Sequence, residues 1–397
     1  MLALTTISAM ASNSNVLNQQ QDKVIPGHSF GILPSPPALA VDSYIMIDAD
    51  TNAVLANFDE NKKIHPASLT KLMTTYLVNT SIKNGTLSGQ GEVIVSQKAW
   101  KTTGSTMFLE AGQKVSIENL LKGIIIVSGN DASIAIAEHI AGSEDGFAEM
   151  MNKMASILGM NDTCFFNASG MPKEGHYSTA KDLSVLSKHV IYDFPESFKL
   201  YSEKYFQYGI DRKTQKPLQR QKNRNRLLWT SPYIDGLKTG HIDETGYHLI
   251  ATSKQQDRRI IVVILGAKSE QQRADDAQKL FAYGFNFFTN NKISEQQEIL
   301  KEVRIWGGKD DLLKTGTLND ILVTIPKGMN DKLSISIDIF NNLEAPILEN
   351  TKVGDITIKL NNKLIKTENL IALQSVEKAG WFKSMYDKIK KYLINFL

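Results

Sequence analysis

The sequence predicts an α+β fold in which one antiparallel sheet is flanked by helices and followed by a small all-β domain and a C-terminal amphipathic helix. Three observations carry this reading. Strand-like segments stand at both ends of residues 41–290 with helical segments between them, short alternating strands fill residues 293–375, and residues 379–397 repeat apolar positions at helical spacing.

Residues 1–40 are a polar, Pro-rich lead. The stretch "MLALTTISAMASNSN" holds a short apolar segment and an A-M-A-S sequence like a cleavage site, without the basic residues that begin an export signal. It reads as part of a signal whose start lies upstream, so export is expected. "SYIMIDADTNAVLANFDE" reads as two strands turned at D-A-D-T-N, and "HPASLTKLMTTYLV" as a helix beginning near Pro66. From Glu92 to about Met171 helical signals dominate, and "SIENLLKGIIIVSGN", "DASIAIAEHIAG" and "GFAEMMNKMASILGM" are each bounded by Gly, Asn or Asp. "YIDGLKTGH", "TGYHLIATSK" and "RRIIVVILGAK" return to the strand pattern, and "QQRADDAQKLFAYGFNFF" is a closing helix. Around "TNNKISEQQEILKE" the composition turns polar, as a linker would, before the strands "ILVTIP", "LSISIDIF" and "DITIKL".

The bulk numbers exclude several classes. With 42% hydrophobic and 22% charged residues among 397, a sizeable core is possible, and a net charge of +3 is too small to imply nucleic acid. Cys164 is the only cysteine, which rules out internal disulfides and cysteine metal clusters, and the seven histidines lack metal-site spacing, so neither metal nor cofactor is expected. No run of eighteen apolar residues exists to span a bilayer as a helix.

Three short motifs bear on chemistry. Ser68 and Lys71 share a helix face at a helix start, where a cation meets an unfavourable dipole. One reading is a hydroxyl touching an amine that serves as its base; the other is chance, since Ser375 and Lys378 repeat the spacing with no helix start before them. "VSGN" places Ser128 and Asn130 in a Gly129 turn between two helices, where Asn130 or Asp131 would also serve as an ordinary cap. K-T-G occurs twice. Lys238-Thr239-Gly240 lies on a strand of the first domain, whereas Lys314-Thr315-Gly316 lies in loop-like "DDLLKTGTLND" of the β domain, so only the first is placed to share a cleft with Ser68.

S-x-x-K, S-x-N and K-T-G in this order resemble the motif set of the penicillin-recognising serine enzymes. "HPASLTKLMT", "IIVSGNDA", "GHYSTAKDL" and "DGLKTGHIDETGYHLIAT" are similar to the low-molecular-weight penicillin-binding proteins of D-alanyl-D-alanine carboxypeptidase type, over about residues 40–290, and a small β domain with an amphipathic tail suits that family. The resemblance implies that Ser68 attacks the carbonyl between two D-alanines of a peptidoglycan stem peptide and that β-lactams acylate the same serine. Lys71 would be its neutral base, Ser128 a proton relay, and Asn130 a holder of Lys71 and the substrate amide. Lys238 and Thr239 would bind the terminal carboxylate, Gly240 would let the strand approach, and the backbone N–H groups of Ser68 and His241 would form the oxyanion hole. Glu174, in "GMPKEGHYST", would organise its loop or influence deacylation, or be a plain exposed glutamate. Arg273 would add positive potential near the carboxylate site or serve the structure. The chain departs from the family in having Ala132 and Ser133 where a cysteine often follows S-x-N.

Rival readings share the motifs. A β-lactamase of the most similar kind would carry a loop glutamate followed two residues later by Leu-Asn, and Glu174 is followed by "GHYST". A D,D-endopeptidase or transpeptidase differs in cleft shape, and a non-catalytic wall-binding protein would be expected to have lost a motif. The tail "GWFKSMYDKIKKYLINFL" sets Trp381, Phe382, Met385, Ile389, Leu393, Phe396 and Leu397 broadly on one side and Lys383, Lys388, Lys390 and Lys391 on and beside the other. It is expected to be an interfacial anchor, holding an exported enzyme peripherally at the periplasmic face of the inner membrane. A helix docked on its own β domain would leave the lysines without a role.

Overall fold

Asp48 closes the first hairpin by an Asx turn, its Oδ1 accepting from the backbone N–H groups of Asp50 and Thr51 at 3.1 Å each, between strands Ser43–Asp48 and Val54–Phe58. The computed structural model describes residues 33–211 and 214–396, so the leader-like stretch at the N-terminus lies outside the described residues. Two units are distinguished, one over Pro36–Gly284 and one from Phe285 onward.

In the first unit a five-stranded antiparallel sheet runs in the order Val54–Phe58, Ser43–Asp48, Arg258–Ala267, Gly246–Gln255, Ile234–Ile242. Segments from the two ends of the unit thus meet side by side, as expected from strands flanking a helical middle. The run "RRIIVVILGA" is apolar without alternation because both of its faces are covered. Ile261, Val263 and Leu265 join a core with Leu183 and Leu186 of helix Ala180–Asp193. On the other face, a Cβ at Gly284 of the closing helix Glu270–Phe287 would stand 2.7 Å from Ile260 and 3.0 Å from Met46 Sδ, so glycine lets that helix settle on the sheet. Each of these fully buried aliphatic side chains contributes about 1.5–3 kcal/mol. The helical middle is interrupted by a small hairpin, Glu92–Ile94 with Lys114–Ser116.

In the second unit an antiparallel sheet has the order Lys301–Arg304, Leu312–Gly316, Lys363–Ala372, Lys352–Leu360, Leu333–Ile339, and Phe288–Ser294 pairs separately with Ile321–Pro326. Two sequence expectations fail here. The polar run beginning at Thr289 belongs to strand Phe288–Ser294 and is not a linker: Phe288 and Ser294 are buried, Thr289, Asn290 and Asn291 are half-buried, Lys292 is exposed, and ladder hydrogen bonds hold it. Lys314-Thr315-Gly316 is likewise a strand and not a loop, with Thr315 fully buried and its Oγ1 donating to the Lys301 carbonyl at 2.7 Å.

The final helix, Trp381–Phe396, lies against its own β domain by its polar side. Asp387 is buried and accepts from Arg304 Nη2 at 2.9 Å and from the Gly307 N–H at 3.0 Å, and Lys383 pairs with Asp311 at 3.0 Å and Lys391 with Glu344 at 2.5 Å. Two of the four lysines therefore do have partners on the β domain. The apolar side points away, leaving Trp381 68%, Phe382 79% and Leu393 57% exposed. No helix among the described residues is long and apolar enough to cross a membrane.

Candidate active site

Pro66 opens a single 3-10 turn, Ala67–Thr70, that runs directly into helix Lys71–Lys83. Ser68 sits in that turn without a capping hydrogen bond, and Lys71 one turn later is 1% exposed. Its ammonium nitrogen reaches three oxygens: Ser68 Oγ at 3.1 Å, Asn130 Oδ1 at 2.7 Å and the Ser169 carbonyl at 2.5 Å. A lysine so enclosed is destabilised in its charged form. Burial first, and then Arg224, push it from 10.5 to about 7, while Asp131 and Glu144 pull the other way. The inward lysine is thus partly unprotonated near neutral pH, within hydrogen-bond reach of a hydroxyl.

The apolar helix Ile117–Ile126 delivers the second motif. Past its end Ser128 takes φ +61°, a conformation costing an L-residue about 1–2 kcal/mol, and this turns the chain into helix Asn130–Ala141. Neither Asn130 nor Asp131 is the helix cap: Gly129 occupies that position. Asn130 Nδ2 instead donates to the Thr103 carbonyl at 2.7 Å, which fixes the amide with its oxygen toward Lys71. Asp131 accepts from the N–H groups of Met107 and Leu109 at 3.0 Å, tying the segment beside the cleft to the same helix.

The edge strand Ile234–Ile242 supplies the third. Lys238 is buried, and its Nζ donates to Ser128 Oγ at 2.9 Å and to the Thr239 carbonyl at 3.1 Å. Burial, then Lys71, Arg224 and Arg273, hold it well below the ordinary lysine value. A Cβ at Gly240 would stand 2.9 Å from the Pro66 carbonyl and 3.2 Å from Ala67 Cβ, so glycine allows the strand to lie against the Ala67–Thr70 turn. Thr239 is buried beside Lys238.

The remaining candidates are placed differently. The His241 side chain is 39% exposed and stacks on Tyr247 with ring centroids 3.9 Å apart. Arg273 is buried behind the strand, donating to the carbonyls of Gly240 at 3.1 Å and His248 at 3.2 Å, which makes it a brace for K-T-G. Glu174 is exposed on the rim of a cavity of about 360 Å³ shared with His65, Glu244 and Thr245, and no hydrogen bond links it to Ser68 or Lys71.

Sequence reasoning missed three contributors. The Ser169 carbonyl reaches Lys71 from a loop organised by Asn167, whose Oδ1 accepts from the N–H groups of Gly170 at 2.7 Å and Met171 at 3.1 Å. "NASG" carries the signature of such an Asx turn. Gly170 at φ +78° passes so close that a Cβ would stand 1.9 Å from the Ala67 carbonyl. Arg224, exposed, lies in electrostatic range of Lys71, Lys238 and Arg273 and depresses all three. Nothing in the sequence marked it out.

Known proteins are similar to this chain over most of its length. A family model described as D-alanyl-D-alanine carboxypeptidase matches residues 32–269, and one described as penicillin-binding protein 5, C-terminal domain, matches residues 288–378. The chain is similar to the D-alanyl-D-alanine carboxypeptidase DacA of Haemophilus influenzae, 34% identical over 364 residues and 90% of each chain. It is also similar to the carboxypeptidase DacC of Escherichia coli, 37% identical over 359 residues and 88% of each. Among solved structures, penicillin binding protein 5 from H. influenzae superposes with a TM-score of 0.81 at 34% identity, covering 87% of this chain and all of that one. On the family model over residues 32–269 and these relatives, the chain belongs to the D-alanyl-D-alanine carboxypeptidase family of serine peptidases.

Proposed function

We propose that Ser68 is the nucleophile with which this carboxypeptidase removes the terminal D-alanine from peptidoglycan pentapeptide stems. The observation that carries the reading is the buried Lys71 amine, 3.1 Å from Ser68 Oγ and held near 7. Neutral Lys71 takes the hydroxyl proton as Oγ bonds to the carbonyl carbon between the two D-alanines. The C–N bond then breaks, the departing amine receives a proton through Ser128, and free D-alanine leaves an ester on Ser68. Water attacks that ester, releasing the tetrapeptide and returning a proton to Oγ.

The other residues divide the binding. Lys238 and Thr239 receive the terminal carboxylate, Asn130 holds Lys71 and the substrate amide, and the Ser68 and His241 N–H groups stabilise the oxyanion. Arg273 acts through the strand, and Arg224 adds positive potential. A β-lactam, which also presents a carboxylate beside a strained amide, acylates the same serine.

The exposed apolar side of helix Trp381–Phe396 supports attachment to a membrane surface, with the enzyme exported and peripheral on the periplasmic face of the inner membrane. Mass spectrometry of a pentapeptide muropeptide incubated with the protein tests the activity. Tetrapeptide plus one equivalent of D-alanine is expected, and an unchanged pentapeptide would contradict the assignment.

A further inference from the structure

The nucleophile turn is strained and tightly enclosed. Ala67 has φ +49°, a conformation costing about 1–2 kcal/mol for a residue with a Cβ. Three buried or half-buried histidines surround it, and their hydrogen bonds define one proton arrangement.

His65 Nδ1 accepts from the Ala67 N–H at 3.1 Å. His176 Nδ1 accepts from the Phe166 N–H at 3.3 Å, and its Nε2 lies 2.9 Å from Thr70 Oγ1. His248 Nδ1 accepts from the Gly266 N–H at 3.0 Å, and its Nε2 lies 2.9 Å from Thr245 Oγ1. A backbone N–H only donates, so each Nδ1 must present a lone pair and each neutral ring must carry its proton on Nε2. It follows that His176 donates to Thr70 and His248 to Thr245. Thr245, its oxygen occupied as acceptor, is free to donate to the His65 carbonyl, 3.3 Å away. The rings of His65 and His176 lie 4.9 Å apart, which disfavours charging both.

We propose that His65, His176 and His248 form a neutral clamp that fixes the Ala67–Thr70 turn from two sides, making His176, His248 and Thr245 positioning residues for Ser68. One arm runs from the Phe166 backbone through His176 to Thr70. The second runs from the Gly266 backbone through His248 and Thr245 to the His65 carbonyl, and so ties the turn to the hairpin that follows K-T-G. Burial pushes His176 and His248 down to about 3 and also lowers His65, so the arrangement persists through the neutral range. None of these side chains is assigned to the carboxylate site. Their loss should slow bond formation at Ser68 without weakening initial binding.

The inference rests on Ser68 being the nucleophile, and the test separates the two claims. Adduct formation with a fluorescent penicillin is followed in the full chain, the final amplitude counting competent sites and the concentration dependence giving a binding constant and a maximal rate per site. Thr245→Val and His176→Phe each remove one arm while keeping bulk; Thr245→Ser and His176→Gln keep a hydroxyl or a donor in place. The disabling variants should lose about fivefold in maximal rate per site with an unchanged binding constant, and the conservative ones should recover most of it. Either arm alone suffices should one variant not fold. Maximal rates per site within twofold of the native value, or conservative variants as slow as the disabling ones, would overturn the clamp. A native protein that forms no adduct would overturn the Ser68 assignment beneath it.

Discussion

Lys238 Nζ donates to Ser128 Oγ across 2.9 Å, and both side chains are buried. This bond joins the residue proposed to bind the substrate carboxylate to the one proposed to pass a proton to the leaving amine. Because Ser128 and Asn130 flank one glycine, and Asn130 holds Lys71 at 2.7 Å, the two lysines are linked through a single short turn.

The first prediction concerns pH. Since Lys71 is held near 7, acylation should rise with pH through an apparent midpoint of about 7 and level off above it, as the amine gains its lone pair. For stability the sign is set by the lowered folded value. Between about 7 and 10.5 the unfolded chain holds a proton that the native state has released, so this group makes the protein more stable as pH rises through that window. Acylation rates and melting curves across pH check both, and a rate independent of pH around neutrality would contradict the base assignment.

The two K-T-G copies should respond differently. Lys238→Ala removes a buried charge-assisted contact and should lower both peptide cleavage and penicillin acylation at least about tenfold, as expected for roughly 1.5–3 kcal/mol. Lys314 is exposed on a strand of the β domain, and Lys314→Ala should leave both rates unchanged. Damage from the second substitution and none from the first would reverse the choice of motif.

Gly240→Ala tests the close approach. The added Cβ would meet the Pro66 carbonyl at 2.9 Å, a backbone atom that moves only if the turn carrying Ser68 moves. Overpacking of this kind costs about 1–3 kcal/mol, so acylation should fall by about tenfold and the melting temperature should drop. Native rates in this variant would show that the turn is free to shift.

The tail should bind vesicles through the side it exposes. Phe382→Ser combined with Leu393→Ser leaves the buried Asp387 and its partner Arg304 in place, so the helix should remain docked while flotation with anionic vesicles falls. Lysine attraction adds about 1 kcal/mol per residue near such a surface, so flotation should also weaken at high salt. Equal flotation of variant and native chains would exclude this face as the anchor.

Much of this was readable in the chain itself, for identifiable reasons. The sheet was legible because "RRIIVVILGA" and its neighbours carry period and length, and the S-x-x-K, S-x-N and K-T-G order is specific as a set. The polar strand from Phe288 was not, because the residues between Phe288 and Ile293 are all polar and only the ladder pairing with Ile321–Pro326 marks them as a strand. The Ser169 carbonyl could not be read as a Lys71 partner, since a backbone acceptor leaves no mark on residue type. Arg273 was legible as a cation near the site but not as a brace, because its bonds go to carbonyls of two different strands.

The most direct test is peptide mapping of the protein after reaction with labelled penicillin, with Ser68→Ala in parallel. The expected result is one covalent adduct on the peptide containing Ser68, absent from the folded Ser68→Ala protein. An adduct on another serine, or none on folded native protein, would contradict the assignment of Ser68 as the nucleophile.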